Sequence, residues 1–329
     1  MIGLQREQNY RRDLEPHRAY NCYTQNESGS ICLIIFCPPG YLKRLCLFIY
    51  TLACNRKSIP ETSYSVGILS QISENNGVEV SGAVGETPSV SGGLPHSGYL
   101  ETLSTAFVLA VDINAAGNEQ TAASCPSGTC YALTADITLE SSWREILSTT
   151  LAKFSNRLDV VVNCAGVVHH AAPAHEISEE TFDRMYKVNV KPIFLSTKVV
   201  VAWWKENKLP GHYINFSSAR EPRPRPKMVW YSGSKGAVAG TTKGLAAEYA
   251  CDKIRFNYIR VSLGETGMLL AAVAGNDTPE NRKTYLDTIP LGRLCQPTDI
   301  ADMVCFLASD EACYITGAGF DVDGGRCVS

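Results

Sequence analysis

From about residue 105 to residue 329, short apolar runs alternate with longer runs in which apolar residues recur at helical spacing. Phe107–Val111 and Asp159–Asn163 are mostly apolar, as expected for strands buried on both faces. Residues 141–157, which lie between them, have the periodicity of an amphipathic helix. This alternation predicts a parallel sheet with helices on both sides. Further strands are predicted at Tyr131–Thr134, His212–Phe216, Phe256–Val261 and Gly319–Val322, and further helices at Ser178–Lys205, Trp230–Ala250 and Thr298–Leu307.

The first quarter of the chain has a different character. Residues 1–75 show no sustained strand or helix period, and the following stretch Gly77–Gly98 is rich in Gly, Ser and Pro. We interpret residues 1–75 as an atypical N-terminal extension, either poorly ordered or derived from a misassembled coding sequence. Residues 76–329 are then expected to form a single domain.

The composition excludes several classes of partner. A net charge of −3 gives no electrostatic footprint for nucleic acid. The apolar segment Ile31–Cys54 is interrupted by Pro38, Pro39 and Lys43, so we do not expect a membrane anchor. The 13 cysteines form no C-x-x-C pair, so we expect no metal, and free thiols in a cytoplasmic compartment.

Tyr231 and Lys235 stand four residues apart near the start of a predicted helix, so they share one face. An ammonium group beside a tyrosine favours the tyrosinate and lowers the phenol pKa, which makes Tyr a usable acid or base. A single pair with this spacing is equally expected on a solvated helix face. Ser218 strengthens the catalytic interpretation, because a hydroxyl directly after a strand can donate to a developing oxyanion.

Other polar residues also follow predicted strands, where ligands bind in open parallel sheets. Asp112, Asp136 and Asn163 each occupy such a position, and the small residues after Asn163 let a flat cofactor approach the backbone. Asp112 is alternatively the cap of a following helix. Asn189, inside a predicted helix, is alternatively an ordinary exposed polar residue.

The order of these motifs resembles the classical short-chain dehydrogenase/reductase family: Asn-x-Ala-Gly, Asn on the next helix, Ser, then Tyr-x-x-x-Lys. The resemblance runs from about Leu109 onwards. It implies an α/β fold, a three-layer α/β/α, Rossmann-like, doubly wound parallel sheet. The supporting segments are VDIN at 111–114, ADIT at 135–138, VVVNCAGVV at 160–168, WYSGSKGAVAG at 230–240, GETGM at 264–268 and FLASDEACYITGAGFDVDGG at 306–325.

The resemblance also implies residue roles. Tyr231 is the expected general acid/base, Lys235 lowers its pKa and holds the nicotinamide ribose, Ser218 orients the substrate oxygen, and Asn189 positions a water in a proton relay. The implied cofactor is NAD, with NADP possible, because the Asp112 carboxylate accepts a ribose hydroxyl but repels a 2′-phosphate. The residues expected to bind it are Gly82, Asp112, Asp136, Ile137, Asn163, Ala165, Gly166, Tyr231, Lys235 and Thr266.

One part of the family pattern is missing. After Gly82, the positions of the expected glycine-rich phosphate turn hold Glu86 and Pro88. Either this loop is rebuilt or degenerate, or the coding sequence of residues 1 to about 105 is misassembled.

The sequence is therefore compatible with two functions. The first is an oxidoreductase that transfers a hydride between NAD(P) and a secondary alcohol or ketone, and the second is a non-catalytic homologue that binds or assembles. The resemblance further implies a homo-oligomer, a dimer or tetramer, built on the helix after Tyr231, where Gly236, Gly240 and Gly244 allow close packing. The predicted substrate-pocket lid, Leu269–Leu286, carries no recognisable ligand motif.

Overall fold

The computed structural model describes residues 32–36, 106–262, 264 and 278–328, and for residues 32–36 it describes the backbone alone. These residues form a seven-stranded sheet in the order β3-β2-β1-β4-β5-β6-β7. The strands are β1 (Cys32–Phe36), β2 (Phe107–Asp112), β3 (Cys130–Thr134), β4 (Val160–Asn163), β5 (Gly211–Ser218), β6 (Ile254–Val261) and β7 (Gly319–Val322).

Strand β1 is the exception in an otherwise parallel sheet. It lies between β2 and β4 and pairs with both in the antiparallel sense, so that Cys32 is opposite Val111 on one side and Asn163 on the other. Phe36, the last residue of β1, is opposite Phe107 and therefore lies at the end of the sheet away from the carboxyl ends of the parallel strands. This strand comes from the range expected to be an extension outside the domain, whose boundary at residue 75 stays a prediction.

The apolar run of β1 has the composition of a fully buried strand. In the sequence, this strand lies within the interrupted apolar segment Ile31–Cys54. Periodicity alone does not identify a five-residue strand whose sheet partners lie more than 70 residues further along the chain.

Helices cover both faces of the sheet, which confirms the predicted three-layer α/β/α fold. The helices are α1 (Ala115–Ala123), α2 (Glu140–Lys153), α3 (Glu179–Asn189), α4 (Lys191–Ser196), α5 (Ala202–Glu206), α6 (Val229–Tyr249), α7 (Pro279–Leu286) and α8 (Pro297–Ala308). One face of β2, β4, β5 and β6 packs against α1 and α8, and the other packs against α2, α6 and the segment 195–204. Among the residues that the structure describes, no helix has the length and apolar character needed to span a membrane.

The single long helix predicted over Ser178–Lys205 is wrong in one respect. Helix α3 ends at Asn189, Val190 departs from helical geometry with φ −118°, and α4 begins at Lys191. Pro192 explains the break, because it has no N–H to donate to the carbonyl four residues earlier. A π-helical turn over Thr197–Val201 then joins α4 to α5. The break places Asn189 at the end of a helix, directly beside the carboxyl edge of the sheet.

We expect proline to disrupt β1, because each residue of a central strand takes part in the hydrogen-bond ladder. Ile34→Pro removes a backbone donor opposite Leu109 and Val161 and is expected to cost about 3 kcal/mol of unfolding free energy. Urea unfolding followed by circular dichroism measures this loss. Ile34→Val, which keeps the donor and the β-branched side chain, should change stability by about 1 kcal/mol at most. An Ile34→Pro variant as stable as Ile34→Val would show that residues 32–36 are not part of the sheet.

Candidate active site

The site lies where β5 ends and α6 begins. Ser218 is the last residue of β5 and Tyr231 is the third residue of α6, and both side chains are buried. The Ser218 hydroxyl acts on the Tyr231 phenol and lowers its pKa. The Ser218 Oγ also accepts a hydrogen bond from the backbone N–H of Arg220 at 3.2 Å. The loop after β5 therefore holds the serine hydroxyl against the phenol.

Lys235 lies one helical turn after Tyr231 and is buried beneath it. Its Nζ donates to the carbonyl oxygen of Phe216 at 2.8 Å, and the Ser217 hydroxyl donates to the carbonyl oxygen of Lys235 at 3.0 Å. These two hydrogen bonds run in opposite directions between β5 and α6. They fix the register of the helix against the strand, and hence the position of Tyr231 relative to Ser218.

Burial dominates the electrostatics of both groups. It raises the pKa of the Tyr231 phenol above its ordinary value, and the main groups that oppose this are Ser218, through its hydrogen bond, and the charge of Arg220. Burial lowers the pKa of Lys235 to about 8. The Lys235 Nζ lies 6.0 Å from the centroid of the Tyr231 ring. The role of Lys235 in lowering the pKa of Tyr231 stays a prediction, and the charge of Arg220, in the loop between Ser218 and Tyr231, also lowers that pKa.

Asn189 is a buried, fully engaged amide rather than an exposed polar residue. Its Oδ1 accepts from the backbone N–H of Val167 at 2.7 Å, and its Nδ2 donates to the Val167 carbonyl at 2.9 Å and to the Ser234 hydroxyl at 3.0 Å. It thus ties α3 both to the segment after β4 and to α6.

Gly166 allows Asn189 and Lys235 to meet. A Cβ atom at Gly166 would lie 3.3 Å from both the Asn189 Oδ1 and the Lys235 Nζ, which is closer than side chains ordinarily pack. The absence of a side chain at this position therefore lets the amide and the ammonium face the same point of the backbone. The Asn-x-Ala-Gly motif and Tyr-x-x-x-Lys are brought together here.

The residues expected at the adenosine end of the cofactor follow β2, β3 and β4. Asp112 is fully buried, and its carboxylate accepts from the backbone N–H of Asn114, whose own side chain caps α1. Asp112 is thus linked to the helix cap through Asn114. Asp136 accepts from the backbone N–H of Thr138 at 2.8 Å and is only half-buried.

The remaining residues of this group lie further along the same edge of the sheet. Ile137 is buried, and its carbonyl accepts from the Trp143 indole at 2.9 Å. Asn163 donates to the Asn215 side chain at 2.9 Å and so joins β4 to β5, and Ala165 is buried after it. Gly82 and Thr266 lie outside the described residues, as do the remnant phosphate turn and the first part of the predicted lid.

Comparison with known proteins identifies the family. Residues 104–326 match a family model described as enoyl-(acyl carrier protein) reductase. The chain belongs to the short-chain dehydrogenase/reductase family. Its curated relatives include 4-formylbenzenesulfonate dehydrogenase TsaC1/TsaC2 of Comamonas testosteroni, which is 39% identical over 203 residues, or 61% of this chain and 79% of the relative. Glucose 1-dehydrogenase 2 of Bacillus subtilis (strain 168) is 36% identical over 203 residues, or 61% and 76% of the two chains.

Solved structures agree with this assignment. The 3-ketoacyl-(acyl-carrier-protein) reductase from Brucella melitensis, complexed with NADH, has a TM-score of 0.60 and 36% identity. The match covers 66% of this chain and 86% of that one. ElxO with NADP bound has a TM-score of 0.56 and 27% identity, and the match covers 61% and 79% of the two chains.

The buried ammonium of Lys235 should reduce the stability of the fold. Its pKa is about 8 in the folded state, below its ordinary value of 10.5, so the unfolded state binds the proton more tightly. This cost is fully present below pH 8 and is relieved as pH rises towards 10.5. Lys235→Met loses the hydrogen bond to the Phe216 carbonyl at every pH, but it also removes this pH-dependent cost. Relative to wild type, its free energy of unfolding should therefore be about 1–3 kcal/mol higher at pH 7 than at pH 10.

Urea unfolding at the two pH values measures this difference against wild type. Lys187→Met, at an exposed position of α3, is the matched control and should change stability by less than about 0.5 kcal/mol at either pH. A difference in stability between Lys235→Met and wild type that is the same at both pH values would contradict this account.

Proposed function

We propose that this protein is an NAD(P)-dependent oxidoreductase that interconverts a secondary alcohol and a ketone. The observation that carries the proposal is the placement of buried Ser218 and Tyr231 at the junction of β5 and α6, which the hydrogen bonds of Lys235 with Phe216 and Ser217 hold in register. This arrangement gives one carbonyl oxygen two hydroxyl partners. Relatives are named for the oxidation of a sugar and a cyclic alcohol, and for the reduction of a ketoacyl group.

Tyr231 serves as the general acid in the reductive direction. Its raised pKa keeps the phenol protonated at neutral pH, so it holds a proton to donate to the carbonyl oxygen. Ser218 orients that oxygen and stabilises the charge that develops on it. The nicotinamide, when bound, supplies the hydride in reduction and accepts it in oxidation. In the reverse direction the phenol must first lose its proton, which Arg220 favours and burial opposes.

Lys235 and Asn189 do not contact the substrate carbonyl. Their proposed role is to pass protons between the site and solvent. The lowered pKa of Lys235, about 8, lets its ammonium release a proton near neutral pH. Asn189 and Lys235 converge on Gly166, and we propose that a water at this point passes protons between Lys235 and solvent. The same lysine is positioned to hold a ribose hydroxyl of the cofactor.

The residues present fit a nicotinamide cofactor at its nicotinamide end. Gly166 lets the Lys235 ammonium approach the backbone after β4, and this ammonium would hold a ribose hydroxyl of the cofactor. At the adenosine end, the buried carboxylate of Asp112 disfavours a 2′-phosphate, so we propose NAD in preference to NADP. Asp136, Ile137, Asn163 and Ala165 are proposed to line the same end.

A non-catalytic homologue is the second candidate, and one observation favours it. Strand β1 runs antiparallel to its neighbours, so its last residue, Phe36, lies at the end of the sheet opposite the site. A phosphate-binding turn directly after a first parallel strand is therefore not formed by β1. In this case the fold would bind a ligand or a second copy of the chain without hydride transfer.

Tyr231→Phe should abolish proton transfer while leaving the ring in its pocket. We expect kcat/KM for alcohol oxidation to fall by about 10²–10⁴-fold, because that is the usual contribution of a positioned acid or base. Formation of NADH from NAD with cyclopentanol and with glucose, the alcohols of two relatives, provides the measurement.

Tyr314→Phe is the matched control for that experiment. Tyr314 is fully exposed, so the loss of its hydroxyl should leave kcat/KM unchanged. Circular dichroism should show both variants folded. A Tyr231→Phe enzyme within about threefold of wild type would rule out Tyr231 as the proton donor.

A further inference from the structure

Three arginines near Ser218 and Tyr231 have no role in the proposed reaction. Arg220 follows Ser218 by two residues, Arg225 lies further along the same loop, and Arg326 arrives from the segment after β7. Arg223, between Arg220 and Arg225 in that loop, donates to the Arg326 carbonyl, which places the loop against the C-terminal segment, and the charges of Arg220 and Arg225 lower the pKa of Arg326. We call Arg220, Arg225 and Arg326 the arginine cluster.

Arg220 is the member closest to the reacting atoms. Its backbone N–H contacts the Ser218 hydroxyl, and its charge lowers the pKa of Tyr231. Its guanidinium is largely withdrawn from solvent, and its Nη1 is fully enclosed with no hydrogen-bond partner among the described residues. A buried guanidinium nitrogen in this condition costs free energy unless an acceptor is supplied.

Glu221, the carboxylate next to Arg220 in the sequence, pairs with an arginine outside the arginine cluster. Glu221 lies 3.5 Å from Arg260, and Arg260 also pairs with Asp321 at 2.6 Å. These acidic groups are therefore joined to one arginine on β6, which lies outside the arginine cluster. No ion pair links a carboxylate of the described residues to Arg220 or Arg225.

Arg326 is the most deeply buried member of the arginine cluster. It is 3% exposed, its guanidinium lies 4.0 Å from the centroid of the Tyr285 ring, and its Nε donates to the Thr288 hydroxyl at 3.0 Å. Arg223 donates to the Arg326 carbonyl at 2.6 Å, which joins the C-terminal segment to the loop after Ser218. Burial, aided by the charges of Arg220 and Arg225, lowers the pKa of Arg326 to about 10.

Like charges held together in a partly desolvated pocket repel one another, and a bound anion relieves both the repulsion and the unmet hydrogen bond. A planar guanidinium is matched in shape to a carboxylate or a sulfonate. Arg220 borders the reacting groups, because its backbone N–H donates to the Ser218 hydroxyl and its charge acts on the Tyr231 phenol. An anion bound by Arg220 would therefore lie beside a carbonyl or alcohol held by Ser218 and Tyr231.

We propose that the arginine cluster, with Arg220 in front, binds a carboxylate or sulfonate group of the substrate, so that the preferred substrates are anionic hydroxy or oxo compounds. This inference rests on the proposed oxidoreductase function. It adds a substrate class to that function and assigns Arg220 as the residue that determines specificity.

Matched ketones test the proposal. Acetophenone, 4-acetylbenzoate and 4-acetylbenzenesulfonate share one reacting carbonyl and differ in the group at the far end of the ring. With the full chain and NADH, we expect kcat/KM for at least one of the two anions to exceed that for acetophenone by about tenfold or more. The comparison between the two anions distinguishes a carboxylate site from a sulfonate site. Equal values for all three ketones would overturn the proposal.

Substitution of Arg220 locates the effect. In Arg220→Met the ratio of kcat/KM for the anionic ketone to that for acetophenone should fall to near one, and acetophenone serves as the reference within each variant. Arg220→Lys, which keeps the charge but loses the planar fork, should give an intermediate ratio and carries the test if Arg220→Met fails to fold. Arg144→Met, at an exposed site on α2, should keep the wild-type ratio. A wild-type ratio in both Arg220 variants would overturn the assignment.

Direct binding separates this proposal from the proposed function. Isothermal titration of wild type with 4-acetylbenzoate, without cofactor, should show saturable binding that Arg220→Met weakens about tenfold or more. Such binding without turnover of any ketone would support the anion site and contradict the oxidoreductase. Turnover of acetophenone with no preference for anions would do the reverse. A rise in KM for NADH alone in Arg220→Met would assign the arginine to the cofactor phosphates and overturn the proposal.

Discussion

Two hydrogen bonds between the end of β5 and the first turns of α6 hold the site together. Ser217 donates to the Lys235 carbonyl, and the Lys235 ammonium donates to the Phe216 carbonyl. A strand end and a helix start are thereby fixed in one register, which sets Ser218 against Tyr231. Asn189 extends the same connection to α3 and to the backbone after β4. Each group that we assign to chemistry is therefore positioned by a neighbour that is itself buried and hydrogen-bonded.

Burial also sets the chemical character of the site. It raises the pKa of the Tyr231 phenol, which therefore holds a proton to donate in reduction, and it lowers the pKa of Lys235 to about 8, so that the ammonium can release a proton near neutral pH. The positive charge of Arg220 opposes the effect of burial on the pKa of Tyr231. Positive charges at Lys235 and Arg220, withdrawn from solvent beside Ser218 and Tyr231, lower the stability of the fold. The same charges stabilise a negative charge in the site.

The sequence predicted those parts of the fold that have a strong local signal. Strands β2, β4 and β7 lie within one residue of their predicted bounds, because each is a short apolar run. Helix α1 was missed, since AAGNEQTAA has no large apolar residues to show a period, and it is recognisable only through its Asn114 cap. Tyr231 and Ser218 were found from their spacing, whereas Arg326 reaches the site from 108 residues beyond Ser218 and leaves no local pattern. The antiparallel orientation of β1 is set by its pairing with β2 and β4, so the five residues of β1 alone do not predict it.

Binding of a nicotinamide cofactor is the central claim, because β1 does not form the expected phosphate-binding turn. Titration of the full chain with NADH, followed through the nicotinamide fluorescence, tests it most directly. We predict saturable binding with a Kd below about 1 mM, in the usual range of enzyme substrates, and weaker binding of NADPH because of Asp112. No saturable change at several times that concentration would contradict the oxidoreductase and favour a non-catalytic member of the family.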